Sequence, residues 1–259
     1  MIENFEVIEL KIVICYKAVP EEQDILVNSD HTLSFERAEY KIGIYDLNAI
    51  EAGVKLGGTV IGLTAGGEIV NNSKMKKSIL SRGVTEMYGV MDDSLVGIDS
   101  YSTANVLKAA IEKIGDVDLV LCGEGSGDIY SQQVGPILGQ LLGWVGLNAV
   151  SKITEDSDGL VVERSLESEI EVLKVKLPAV LSVTTDINIP RIPGLRDIMS
   201  AGKKSSKVWK LDEVGVKVEN RVETLSVLAA KQIDRKKVII EGDSTEKIAE
   251  LYEHLRKIL

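Results

Sequence analysis

Four short apolar runs, Lys11–Tyr16, Thr59–Thr64, Glu86–Met91 and Asp118–Cys122, are separated by longer stretches in which apolar residues recur at helical spacing. This alternation constrains the fold more than any other feature, because strands joined through helices become parallel neighbours with right-handed crossovers. Between the first two runs, Leu47, Ile50 and Val54 share a helical face that Gly57-Gly58 ends. Before the third, Met75, Ile79 and Leu80 do the same up to Gly83. Before the fourth, Val106, Leu107, Ala110, Ile111 and Ile114 form a stripe behind the candidate caps Ser100 and Ser102. After Asn148 the rhythm changes to alternation, with Leu160–Arg164 facing Glu171–Val175 across a polar turn at Glu167–Glu169. Pro178 then introduces one more apolar run, Ala179–Val183. The expected fold is α/β, a doubly wound and mostly parallel sheet with an antiparallel edge hairpin.

A chain of 259 residues with 44% hydrophobic side chains is long enough for one large core. Its 30 basic residues face 40 acidic ones, and a formal charge of −10 repels nucleic acid and anionic membrane. No apolar window approaches the roughly 18 to 20 residues of a membrane-spanning helix. Neither nucleic acid nor membrane is an expected partner. Glu3, Glu6 and Glu9 stand where a secretory signal needs a basic start and an apolar centre. The expectation is a cytoplasmic protein in which Cys15 and Cys122 are packed, reduced thiols. No metal is expected, since His31 and His254 lie far apart and the cysteines have no partner at ligand spacing.

Composition divides the chain into an N-terminal extension 1–10, an α/β domain 11–204, and a C-terminal arm and helix 205–259. From Asp186 onward Pro190, Pro193, Gly194, Gly202, Lys203, Lys204, Ser205 and Ser206 accumulate, a composition foreign to a compact core. The final helix, capped by Asp243 or Ser244, aligns Ile248, Leu251, Leu255 and Ile258 on one face. That stripe either packs back on its own domain or embraces another subunit.

The segment that carries chemistry runs from Asp118 to Gly143: a strand, the turn Gly123-Glu124-Gly125-Ser126-Gly127-Asp128, and a helical pattern from Ser131. Glycines without Cβ let the backbone approach a ligand closely, and the N–H groups that open a helix favour an anion. Pro136 removes one donor, so the regular helix starts or kinks near it. The turn fits neither GxGxxG nor GxxxxGK[ST], and no lysine lies within it to reach a terminal phosphate. By glycine count alone it serves a tight connection as well as a ligand site. What favours a ligand is convergence, because the loops Tyr16–Asp24, Ala65-Gly66-Gly67 and Gly123–Asp128 all follow strand ends. Catalytic residues are not expected: no nucleophile with a supporting base stands out, and a hydrolase using Asp128 would lack a second carboxylate. Any chemistry would come from a bound cofactor. A stand-alone adenine-nucleotide sensor is the rival reading.

Four stretches carry a resemblance: Lys11-Ile-Val-Ile-Cys-Tyr-Lys17 with Val19-Pro20-Glu21; Tyr45-Asp46-Leu-Asn-Ala-Ile-Glu51; Asp118–Gly143; and Asp186–Lys204 with Pro190-Arg191, Ile198-Met199 and Lys203-Lys204. In these the chain resembles the β (small) subunit of electron transfer flavoproteins, from Lys11 to Leu259. Val19–Asp24, Gly123–Asp128 and Val238–Asp243 make it most similar to the Fix-type subgroup and the subunits of acyl-CoA reductase complexes. The resemblance implies a partner α subunit, an acyl-CoA dehydrogenase or reductase as second partner, and a β-subunit nucleotide that is FAD in electron-bifurcating members and AMP in simple carriers. Gly125-Ser126-Gly127 replaces the acidic turn of AMP-holding members and points to FAD. Glu22, where many bifurcating members have threonine, departs from their pattern. The resemblance assigns cofactor binding to Cys15, to Gly43, Ile44, Tyr45 and Asp46, to Ala65, to Gly123, Glu124, Gly125, Ser126, Gly127 and Asp128, and to Ser131, Gln132, Gln133 and Val134. It assigns partner recognition to Arg191 and Leu195, and implies a C-terminal extension packed on the partner subunit.

Overall fold

The computed structural model describes residues 9–231 and 237–257. Within them, 9–26 and 34–226 form one compact unit, and 27–33 with 227–231 and 237–257 form a second. Most of the expected extension 1–10 and Ile258 of the terminal stripe lie outside the described residues.

The chain opens with β1 (Lys11–Cys15) and the short strands β2 (Ala18–Pro20), β3 (Leu26–Val27), β4 (Leu33–Ser34) and β5 (Tyr40–Ile42). It continues through α1 (Ile44–Leu56), β6 (Thr59–Gly66), α2 (Ser73–Leu80), β7 (Glu86–Met91), α3 (Ser100–Ile114), β8 (Leu119–Gly123) and α4 (Val134–Leu142). Then follow β9 (Val145–Asp156), β10 (Gly159–Ser165), β11 (Ile170–Val175), β12 (Ala179–Val183), α5 (Leu195–Ala201), β13 (Ser206–Lys210) and α6 (Thr245–Arg256).

Nine strands form one sheet in the order β11-β10-β9-β12-β8-β1-β6-β7-β13. From β9 to β13 every pairing is parallel; β10 and β11 are antiparallel at one edge. The expected doubly wound architecture and edge hairpin are both present, the hairpin in the expected register, Leu160 opposite Val175 and Arg164 opposite Glu171.

Successive side chains of a strand point to opposite faces, and the two core clusters follow that rule. Ile12, Ile14, Leu119 and Leu121 pack with Ala49 and Ile50 of α1 and Met75 and Ile79 of α2. Val13, Cys15, Val120 and Cys122 pack on the other side with Val106, Leu107, Ala110 and Ile111 of α3 and Leu138 of α4.

Two expectations need correction, and one strand was not expected. Position 205 does not mark the end of the sheet, because Ser206–Lys210 pairs with β7 and Trp209, buried, stacks on Tyr88 at 4.7 Å between centroids. Strand β9 escapes the sequence pattern because Val150 alone of its residues is fully buried, which dilutes the apolar signal. The cap of α3 is Asp99, not Ser100 or Ser102. Its carboxylate accepts from the Ser102 N–H at 2.7 Å and from the N–H groups of Arg221 and Val222. Asp99→Ala should therefore cost about 1 to 2 kcal/mol, read as a lower denaturation midpoint.

In the second unit, Thr32 bridges Leu228, and the Ala229 N–H donates to the His31 carbonyl at 2.9 Å. Ser244 caps α6, whose Ile248, Leu251 and Leu255 are exposed.

Candidate functional site

From β1 the chain winds outward through β6 and β7; from β8 it winds the other way through β12. The strand order thus reverses between β1 and β8, which lie in register with Cys15 beside Cys122. Loops leaving the carboxyl ends of two such strands diverge and open a crevice, the place where doubly wound sheets bind ligands. Here those loops begin at Tyr16 and Glu124.

Asp46, in the first turn of α1, ties them together. Its Oδ2 accepts the Lys17 N–H at 2.8 Å and its Oδ1 the Gly123 N–H at 3.2 Å, while the Gly43 N–H donates to the Lys17 carbonyl. Burial pushes the Asp46 carboxyl up to about 7, against the pull of those two N–H groups and the Lys17 charge; Asp128 adds to the rise. Lys17 reaches across the crevice to Asp128, Nζ to Oδ2 at 2.5 Å. Burial raises the Asp128 carboxyl, but Lys17 and Ser126 outweigh it and hold it below the ordinary range.

The glycine-rich turn is packed by its own side chains. A Cβ on Gly123 would lie 2.5 Å from Asp46 Oδ1 and 2.6 Å from Tyr45 Cβ, and one on Gly125 would lie 2.2 Å from the Tyr130 ring. Two of the three glycines expected to admit a ligand thus admit protein atoms. Tyr130, at φ 52°, folds back over the turn with its ring 5.4 Å from that of Tyr45. Its hydroxyl donates to Glu124 Oε1 at 2.8 Å, and Gln132 Nε2 donates to the same oxygen at 2.6 Å. Tyr45 and then Glu124 raise the Tyr130 phenol well above its usual range. The other Glu124 oxygen, Oε2, is buried without a hydrogen-bond partner among the described residues.

Helix α4 begins at Val134, so Pro136 falls in its first turn, and Ser131, Gln132 and Gln133 precede the helix. Among the described residues no side-chain hydrogen bond from the cap residue Gln133 closes this N-terminus, and its first turn holds no acidic residue. Pro136 having no N–H, the donors this end offers are those of Val134 and of the buried Gly135, and the uncapped start of a helix favours an anion.

The structure brings Gly43, Tyr45, Asp46, Gly123, Glu124, Gly125, Asp128 and Gln132 into one cluster. Gly127 faces Glu22, Ser131 faces Ser100 at 3.3 Å between hydroxyls, and Ile44 is exposed beside the cluster. Ala65 sits near the carboxyl end of β6. The Cys15 thiol is packed in the core against Cys122, which with burial pushes its pKa up. Arg191, read as a partner contact, turns its guanidinium onto Glu51, whereas Leu195 is 76% exposed. Lys17 is not among the residues expected to bind, although the loop Tyr16–Asp24 was expected at the site; its place directly after β1 is the available signal.

A family model described as "Electron transfer flavoprotein domain" matches residues 31–214.

Proposed function

Because the chain belongs to the electron transfer flavoprotein domain family, we propose that it is the β subunit of such a flavoprotein. In this reading it pairs with an α subunit, holds FAD at the crevice between β1 and β8, and passes electrons to or from an acyl-CoA dehydrogenase or reductase in a flavin-based electron-bifurcating complex.

The observation that carries this reading is the donor and acceptor pattern of the crevice. The open N-terminus of α4 suits a phosphate, and the unpartnered Glu124 Oε2 suits a ribose hydroxyl or an adenine amino group. A free phosphate alone would leave the second feature unexplained. The rings of Tyr45 and Tyr130 offer an apolar wall, and Asp46 holds the two loops at fixed separation. Bound FAD supplies reversible one- and two-electron chemistry. The protein orients it and sets the field around it through Lys17, Asp128 and the helix N-terminus. FAD is preferred to AMP on the likeness of Gly125-Ser126-Gly127 to the bifurcating subgroup.

The partner side of the reading rests on Ile189, Ile192, Leu195 and Met199, all strongly exposed in one segment. The apolar stripe of α6 adds the expectation that the C-terminal arm packs on the α subunit. A stand-alone sensor has no use for either surface. The deciding experiment denatures the purified complex and identifies what is released. Two FAD per αβ pair is expected; one FAD with one AMP would replace FAD at this site by AMP, and a colourless complex would end the flavoprotein reading.

A further inference from the structure

Helix α1 carries polar residues that serve two different places. Asp46 holds the crevice loops; two and five positions further along, Asn48 and Glu51 hold the segment that leads to the exposed apolar residues. Asn48 Nδ2 donates to the carbonyls of Thr185 at 3.1 Å and Asn188 at 2.7 Å, and Asn188 Nδ2 donates back to the Asn48 carbonyl at 3.0 Å. Glu51, with a side chain only 6% exposed, accepts the Arg191 backbone N–H at 3.2 Å, Nε at 2.6 Å and Nη2 at 3.2 Å.

A buried carboxylate joined to a forked guanidinium is a geometric device more than a source of stability, because desolvation consumes much of the attraction. The Arg191 side chain is 40% exposed. What the pair does fix is the main chain at Arg191, immediately before Ile192, and the guanidinium lies beside Gly83, past the end of α2. Beyond this point Ile192, Leu195 and Met199 stand exposed. An exposed apolar segment that must meet another protein associates more tightly when its conformation is set beforehand.

We propose that Glu51 is a positioning residue: through Arg191 it holds Ile192, Leu195 and Met199 in one presentation for the acyl-CoA dehydrogenase that exchanges electrons with this subunit. This rests on the proposed function, in which Ile189, Ile192, Leu195 and Met199 carry the partner side and an acyl-CoA dehydrogenase or reductase is the electron partner. Arg191 then acts on the partner indirectly, through the shape of the segment, and the apolar residues make the contact.

The test uses the purified complex carrying Glu51→Gln, which keeps the side-chain volume and removes the charge, and separately Arg191→Met, which acts at the partly exposed end. Hydrogen exchange of amides 189–199 should accelerate about tenfold while amides 123–133 keep their rates. With the acyl-CoA dehydrogenase that reduces the wild-type complex, KM for the complex should rise about tenfold at unchanged kcat and unchanged nucleotide content. Wild-type exchange across 189–199 in both variants would overturn the proposal, as would faster exchange with an unaltered KM. If no acyl-CoA dehydrogenase reduces the wild-type complex, the functional reading fails, and unchanged exchange alone still overturns the latch.

Discussion

Gly123→Ala is expected to destabilise the main unit by about 3 kcal/mol and to eliminate nucleotide retention, because overpacking beside a rigid neighbour cannot be relieved by rotating a side chain. The added Cβ would sit 2.5 Å from Asp46 Oδ1, 2.6 Å from Tyr45 Cβ and 2.9 Å from the Tyr45 carbonyl carbon. The last of these is main chain in the first turn of α1, so relief requires moving the helix or the end of β8. Moving either lengthens the Asp46 bond to the Gly123 N–H, already 3.2 Å. The loss should therefore exceed that of Gly127→Ala, where the nearest atom is the end of the flexible Glu22 side chain at 3.4 Å. Denaturation midpoints and released nucleotide for the two variants check this. Equal effects would mean that the contact with α1 is not what demands glycine.

Asp46→Ala should cost about 2 to 5 kcal/mol, since it removes the acceptor of both the Lys17 and the Gly123 N–H groups. The same residue gives stability a pH dependence. Its carboxyl titrates near 7 in the fold and near 3.8 when unfolded, so the native state holds the proton more tightly. The stabilisation from that proton is complete below about pH 4 and is lost as pH rises through 7. Between pH 5 and 7 the wild type should lose about 2 to 3 kcal/mol relative to Asp46→Asn, whose amide does not titrate. Urea denaturation of both proteins across that range measures the difference, and parallel curves would show that Asp46 is ionised throughout. The effect on nucleotide retention runs alongside, because the two loops are joined through this carboxyl.

Local pattern carried most of the fold. Ile12 and Ile14 alternate with Val13 and Cys15 to serve opposite faces, and the edge hairpin follows from its alternation and polar turn. Elements with few buried residues escaped: β13 buries Trp209 among lysines, and β9 leaves most of its residues part-exposed. The candidate site was legible only as a turn after a strand, with a helix to follow. Its contents were not. Lys17 and Asp128 are 111 residues apart, Glu51 and Arg191 are 140 apart, and neither pair has a local signature.

The sequence by itself determined the class of fold, the sidedness of the strands and the glycine-rich turn, because hydrophobic periodicity and the freedom of glycine act over a few residues. Strand order belongs to the tertiary structure: it decided that β1 and β8 would be neighbours, and hence which loops meet. The occupants of the space around Gly123 and Gly125 and the raised Asp46 carboxyl follow from that meeting, and the inward turn of Arg191 from the packing of α1 beside the segment after β12. Burial and charge pairing act between residues that only the completed sheet brings together.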